Sequence, residues 1–310
     1  MTDRISSAMI PLSALASISQ AQQQLVEAAR QSSAQTKAVD MKGYGRETQT
    51  LVSAQRLVAR TEGFLSTSNE LKTRMSLQDV ALGRAADQIA KLKGDLFQNV
   101  GLDSGDGVRS QLEETFAVLK DAMNTNLGGR YLFGGVQNDQ PPVTATSLSN
   151  LAANPLTSSI VQGAPAQTER VEAGRSVAAG PVADDVITAA MASVQRLTQV
   201  DEGVDGPFGG QLTANQKTAI QNELSALTDA FNGLLGAQAE NGRLSKDVES
   251  AATRQQSNLD SLNGAVGGIV NVDLASVAVK LNQAQFAYQA SSSVFATIKG
   301  LSLLTYLPPG

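Results

Sequence analysis

Residues 57–96 read LVARTEGFLSTSNELKTRMSLQDVALGRAADQIAKLKGDL, and the spacing of their apolar side chains decides the fold. Leu57, Phe64, Leu71, Ala85 and Leu92 share one seven-residue register. Met75, Leu82, Ile89 and Leu96 occupy its partner positions. Two apolar positions repeating every seven residues draw a narrow stripe along a helix, the pattern by which helices wind around one another. A long helix with so narrow a stripe needs other helices to cover it.

The same periodicity continues on both sides. After a turn at Gly101–Gly107, Val108, Leu112, Phe116, Leu119 and Met123 mark a second helix. Thr213 and Gln216 have the spacing of a capping box, each side chain able to bond the other's backbone N–H. They open a further long helix through Ile220, Leu224, Leu227, Phe231 and Leu234. The stripe resumes at Leu244, Val248, Leu259, Leu262, Val266 and Ile269, with a phase shift predicted near 236–245, where Gly242 and Ser245 interrupt it.

Both chain ends are predicted to be amphipathic helices. Asp273 suits an N-cap. Behind it follow Leu274, Val277, Leu281, Ala284, Tyr288, Ser291, Phe295 and Ile298, with Pro308 and Pro309 as the stop. The N-terminal stripe is weaker: Ile5, Ala8, Leu12 and Leu15, then Ile18, Leu25 and Val26 after a register change, with Pro11 at a helix start or kink. Tyr44, between Gly43 and Gly45, marks a turn. Narrow seams of small residues bury little area, so each end needs a partner before it outweighs the entropy of ordering.

The middle differs. From Gln140 to Thr168 there is no charged residue, and Pro141, Pro142, Pro155 and Pro165 break helices. Tyr131–Phe133 reads as a short strand between two glycine pairs, and Thr168–Glu172 with Arg175–Val177 as a hairpin. Asp184 and Asp185 start a helix carrying Val186, Ile187, Met191, Val194 and Leu197. The predicted class is mainly α: a long antiparallel helical coiled-coil core from the N- and C-terminal parts, with an inserted small β-containing (α+β) domain. Its parts are an N-terminal assembly helix (1–45), a first half of the core (46–135), an inserted outer domain (136–210), and a second half with a terminal assembly helix (211–310).

Composition narrows the function. The 310 residues hold 24 Lys+Arg and 29 Asp+Glu, a net charge of −5, which disfavours nucleic acid and anionic lipid as partners. Absence of Cys and His removes thiol nucleophiles, disulfides, imidazole catalysis and the usual zinc sites. A hydrolase using two carboxylates would need neither, but nothing places such a pair in a cleft. Asp103, Asp106 and Gly107 lack the alternating ligands of a calcium loop and read as an interhelical turn. Asp184–Asp185 read as helix-start partners of the dipole. The glycine pairs near Tyr131 do not match a dinucleotide fingerprint. Catalytic, metal and cofactor residues are therefore predicted to be none. No stretch spans a membrane, and the apolar segment at Ala8–Ala16 is too short and diluted for a cleaved signal.

Four stretches give the chain a family resemblance: Asp3–Met9; Gly129-Arg-Tyr-Leu-Phe-Gly-Gly135; Glu169–Glu172 with Ser176-Val177 and Asp184–Ile187; and Val272-Asp-Leu-Ala275, Leu281-Asn-Gln-Ala-Gln285 and Leu301–Leu307. They resemble the flagellin family, in its hook-associated branch. Where many members carry a basic segment and then Asp-Asp-Pro, this chain has Gln35–Gly45. The resemblance implies a structural subunit of the bacterial flagellum joining hook to filament, with a filament flagellin as the alternative. It implies pairing of the terminal helices, export unfolded through the type III apparatus without a cleaved signal, and an extracellular place in the flagellum. Implied partners are neighbouring copies, the adjacent hook-associated protein on the hook side, flagellin on the filament side, and a cytosolic export chaperone at the C-terminal helix. The expected subunit contacts are Ile5, Leu12, Leu15, Ile18, Leu274, Val277, Leu281, Tyr288, Phe295 and Ile298.

Overall fold

The computed structural model describes residues 3–161 and 163–304, with side chains for residues 12–161 and 163–299. Among the described residues are eight α-helices and four short strands: α1 (Asp3–Ala34), α2 (Thr48–Leu102), α3 (Val108–Met123), β1 (Asn126–Leu127), β2 (Arg130–Tyr131), α4 (Leu148–Ala153), α5 (Leu156–Ser159), β3 (Thr168–Glu172), β4 (Arg175–Ala178), α6 (Ala183–Glu202), α7 (Ala214–Val270) and α8 (Leu274–Leu304). They form two compact units. One gathers the described residues up to Ala59 and from Leu259 onward; the other is Arg60–Asn258.

The second unit holds the core that the heptads predict. Met75, Leu82, Ile89 and Leu96 are completely buried, and Leu71, Ala85 and Leu92 nearly so. A large apolar side chain buried in this way contributes roughly 1.5–3 kcal/mol. Leu82, Ala85, Ile89, Leu92 and Leu96 pack with Leu112, Leu119 and Met123 of α3, with Ile187, Met191 and Val194 of α6, and with Ile220, Leu227 and Leu234 of α7. The α2 and α7 segments run antiparallel, bridged by Lys72–Glu249 (2.9 Å) and by Asn241, whose Nδ2 donates to the Met75 carbonyl at 2.8 Å. The capping box forms reciprocally: Gln216 N–H donates to Thr213 Oγ1 at 3.2 Å, and Thr213 N–H to Gln216 Oε1 at 3.0 Å. The predicted phase shift near 236–245 does not occur: Ile220, Leu227, Leu234, Asn241 and Val248 are buried at seven-residue intervals, with Asn241 on the apolar line, and α7 runs unbroken to Val270.

Gln78 explains the gap in the first register, between Leu71 and Ala85. It is fully buried, and its Nε2 donates to the Leu132 carbonyl at 2.8 Å. Leu57, by contrast, is half exposed and lies outside this core.

The middle segment closes over α3 and α6. Asn126–Tyr131 is a two-residue hairpin, with Gly128 and Gly129 both at positive φ (60° and 86°). That turn requires left-handed backbone at both central positions, hence two glycines. The predicted strand Tyr131–Phe133 therefore shrinks to Arg130–Tyr131, while Leu132 and Phe133 leave it and are buried. The charge-free stretch folds into α4 and α5 with one bridge, Val143 to Ile160. Its backbone is satisfied by neutral amides. Asn124 bonds both the N–H and the carbonyl of Val143 at 2.9 Å, and Gln195 Nε2 donates to the carbonyls of Leu151 and Asn154. Leu148, Leu151 and Ile160 are buried there, where an unpaired charge would be costly.

β3 and β4 form the predicted hairpin, with a register shift between Arg170 and Glu172. Val171 and Val177 pack on Leu71, Met75, Leu244 and Val248. Arg254 Nε donates to Glu172 at 2.8 Å, and this bond is the main cause holding the Glu172 carboxyl below its usual pKa. A depressed carboxyl stabilises the fold above its unfolded pKa of about 4.3, and the contribution disappears as pH falls through the lower folded value. Amide exchange protection in this hairpin is therefore expected to weaken in acid before that of α2 and α7. Glu172→Gln is expected to flatten that dependence, as exchange measured across the acid range would show.

Candidate assembly interface

The first unit is built on α1 and α8, two helices lying antiparallel. Ser13, Ala14 and Ser17 share a hollow with Ser291, Val294 and Ile298, while Gln24 and Ala28 share another with Lys280 and Ala284. The end where α1 stops and α8 starts is clamped. Gln35 turns the chain at φ 56°, and Thr36 bridges Asn271. Lys37 N–H donates to the Val270 carbonyl at 2.8 Å, and its Nζ to the Gly268 carbonyl at 2.9 Å. Arg30 Nη2 reaches the Lys37 carbonyl at 3.0 Å and also pairs with Glu27 at 2.7 Å. The Arg30 bond is the leading cause of the lowered Glu27 pKa. On the α8 side, Asp273 caps as predicted, accepting from Ala275 N–H at 3.0 Å. Tyr44 lies in a short 3-10 helix, Met41–Glu47, and donates to the Ala38 carbonyl.

The seam between the helices is made of small residues. On α1, Ala14, Ala21 and Ala28 are buried at seven-residue intervals, with Ile18 and Leu25 half-buried between them. On α8, Val277 and Ala284 are buried, and Leu281, Ser291, Phe295 and Ile298 are half-buried. The predicted register change on α1 does not occur, and Pro11 lies inside an unbroken helix. The alanine line is one continuous heptad in which Leu12 and Leu15 take no part. Such a seam brings the backbones close but buries little apolar area, about 0.8 kcal/mol per methyl-sized group. A hollow of about 610 Å³ remains, walled largely by Gln23, Gln24, Gln31 and Gln283.

The larger apolar side chains point elsewhere. Leu12, Leu15 and Val26 on α1 are 66%, 48% and 62% exposed. Val279 and Phe286 on α8 are 55% and 73% exposed. Val279 follows Val277 by two residues, so at 100° per residue it lies on nearly the opposite side of α8, and Phe286 is directly in line with it. α8 carries just two charged residues in 31, Lys280 and Lys299. A helix apolar on both the paired and the outward face is of the kind found buried all round. Contiguous exposed apolar surface of this sort marks an interaction site.

Among the expected contact residues, Val277 is buried, Ile18, Leu281, Phe295 and Ile298 are half-buried along the seam, and Leu12, Leu15, Leu274 and Tyr288 are exposed. The side chain of Ile5 lies outside the described ones, and so do Pro308 and Pro309. The heptad reading missed Ala14, Ala21 and Ala28 on the inside and Val279 and Phe286 on the outside. The near-absence of charge in α8 was the available signal for the outer set. Among the described residues, no three Asp or Glu side chains gather as a metal could require, and no helix is long and apolar enough to cross a membrane.

Residues 224–307 match the bacterial flagellin C-terminal helical region, a stretch that takes in most of α7 and all of α8. Among solved structures, the fold is similar to that of a protein from Vibrio parahaemolyticus described as a flagellar hook-associated protein. The TM-score is 0.58 at 14% identity, covering 72% of this chain and 97% of that one. FlgL from Bacillus cereus aligns with a TM-score of 0.48 at 14% identity, over 64% of this chain and 98% of that one. No curated protein sequence matches the chain.

Proposed function

Starting from a C-terminal part that matches the flagellin helical region, we propose that this chain is a structural subunit of the bacterial flagellum, placed where the hook meets the filament. The observation that carries the reading is α8 itself. It lies in the matched region, carries almost no charge, and exposes Val279 and Phe286 on the side away from α1. Neighbouring copies would cover that stripe, and with it Leu12, Leu15 and Leu274. The alanine seam supports the same reading, because it is too thin to hold α1 and α8 firmly and leaves assembly to supply the missing burial.

In this proposal residues 136–210 face outward, and the terminal segments 1–45 and 274–304 pack inward. Partners are other copies, a hook-associated protein on the hook side and flagellin on the filament side. A cytosolic chaperone would shield α8 before export without a cleaved signal. The role is architectural, not catalytic.

Cells lacking the gene are expected to show hooks without filaments by electron microscopy, with flagellin monomer in the medium by immunoblot. Normal or shortened filaments would instead make the chain one flagellin among several, and fully motile cells with unaltered flagella would overturn both readings.

A further inference from the structure

A cavity of about 220 Å³ in the second unit lies between residues 67–74 of α2, the β1–β2 hairpin and the start of β3. Glu70, Arg74, Arg130 and Glu169 line it, and among the described residues none of the four forms an ion pair. Glu70 accepts only from Ser66, and Glu169 from Gln167 Nε2 at 2.6 Å. Arg74 is half-buried at the floor. Its Nη1 donates to Gln167 Oε1 at 3.1 Å and its Nη2 to the Leu132 carbonyl at 2.8 Å, while the buried Nε has no acceptor. Burial pushes the Arg74 guanidinium below its ordinary value; Glu169 opposes this and Arg130 adds to it.

A guanidinium drawn from water with neutral acceptors alone is an expensive arrangement. Its Nε–H and one Nη–H form an edge whose spacing matches the two oxygens of a carboxylate. We propose that this cavity is a carboxylate site, with Arg74 as the fork at its floor and Arg130 closing over the rim. Glu70 and Glu169 set the selectivity. With two cations and two acids the lining is neutral overall, so a monocarboxylate leaves one uncompensated negative charge beside Glu70 and Glu169, and a sulfate or phosphate dianion leaves two. The fitting ligand is a monocarboxylate whose remaining part is neutral or cationic. It could be free in solution or an Asp or Glu side chain of a second copy. The proposal stands independently of the flagellar reading.

The test follows the Arg74 Nε–H resonance of the full chain by NMR. Sodium acetate is expected to shift it saturably, and sodium chloride and sodium sulfate at matched ionic strength are not. Arg130→Ala, at an exposed position, is expected to raise the half-saturating acetate concentration several-fold. Glu169→Gln is expected to lower it. Arg74→Lys should abolish the response, and should that variant fail to fold, the Arg130 and Glu169 variants still decide. A shift that grows with protein concentration without acetate, and that acetate reverses, would assign the carboxylate to a second copy. Saturation by acetate alone would assign it to a free ligand. No saturable shift in either arm overturns the site. So does a signal in the ligand-free chain that moves on Glu169→Gln while acetate has no effect, since Arg74 and Glu169 would then pair with each other.

Discussion

Phe286→Asp is expected to leave the monomer as stable as the parent and to abolish its incorporation into the flagellum. Phe286 is 73% exposed, so the isolated chain loses almost no packing when it is replaced. Surface substitutions of this kind usually stay within about 0.5 kcal/mol. On the proposed reading the same position is covered by a neighbouring copy. There the variant forfeits burial worth roughly 2 kcal/mol and places a carboxylate among apolar groups at a further cost of at least about 2. A penalty of about 4 kcal/mol per contact weakens each contact roughly a thousandfold, and every contact in a ring of identical copies carries it. The measurement is a pair: the urea midpoint of the purified chain, and electron microscopy of cells complemented with the variant. An unchanged midpoint with bare hooks supports the outer stripe of α8 as the assembly surface. Normal filaments would show that nothing covers Phe286. Leu281→Asp should abolish incorporation too, but is less diagnostic, because Leu281 is half-buried against α1 and a charge there also disturbs the pair itself.

That contrast shows why the sequence revealed the core better than the interface. In residues 71–96 the positions facing other helices are filled by Leu, Ile and Met, so strength of hydrophobicity and position in the helix coincide. In α1 they separate. Close approach to α8 selects alanine at 14, 21 and 28, and the leucines at 12 and 15 are left outside. A reading that weights large apolar residues follows the leucines and must then invent a register change. Gln78 misleads in the opposite direction: a polar residue on a heptad line looks like a gap, yet it is completely buried because it bonds a carbonyl in the distant segment after β2. The Arg74 cavity was also illegible. It is formed by residues from α2, the first hairpin and β3, which share no local pattern, and its distinguishing feature is a missing acceptor rather than a motif.

Arg109→Met is expected to cost about 3 kcal/mol of stability, the largest single loss from any ion-paired residue of the second unit. Arg109 on α3 donates from Nη1 to Asp201 (2.7 Å) and Glu202 (2.9 Å) of α6, and from Nη2 to Ser149 of α4 (3.1 Å). Ser149 in turn donates to Glu202 at 2.6 Å. The Asp201 bond is the leading cause raising the guanidinium's pKa. What sets the size of the effect is Asp201, whose side chain is only 5% exposed. Its other oxygen accepts from Phe208 N–H at 2.8 Å and so holds the loop between α6 and α7. Removing one partner of a buried pair strands the other charge, for about 3–5 kcal/mol; the low end applies because Arg109 is itself a third exposed and water can partly replace it. Glu113→Ala, which removes the exposed end of the same cluster, should change stability by no more than about 0.5 kcal/mol. In the Arg109→Met, Asp201→Asn double variant, part of the loss should return, since no buried charge is left stranded and Glu202 is itself a third exposed. Urea unfolding of the four proteins checks this. If Arg109→Met and Glu113→Ala cost the same, solvent already screens the cluster, and the three helices are held by their apolar contacts alone.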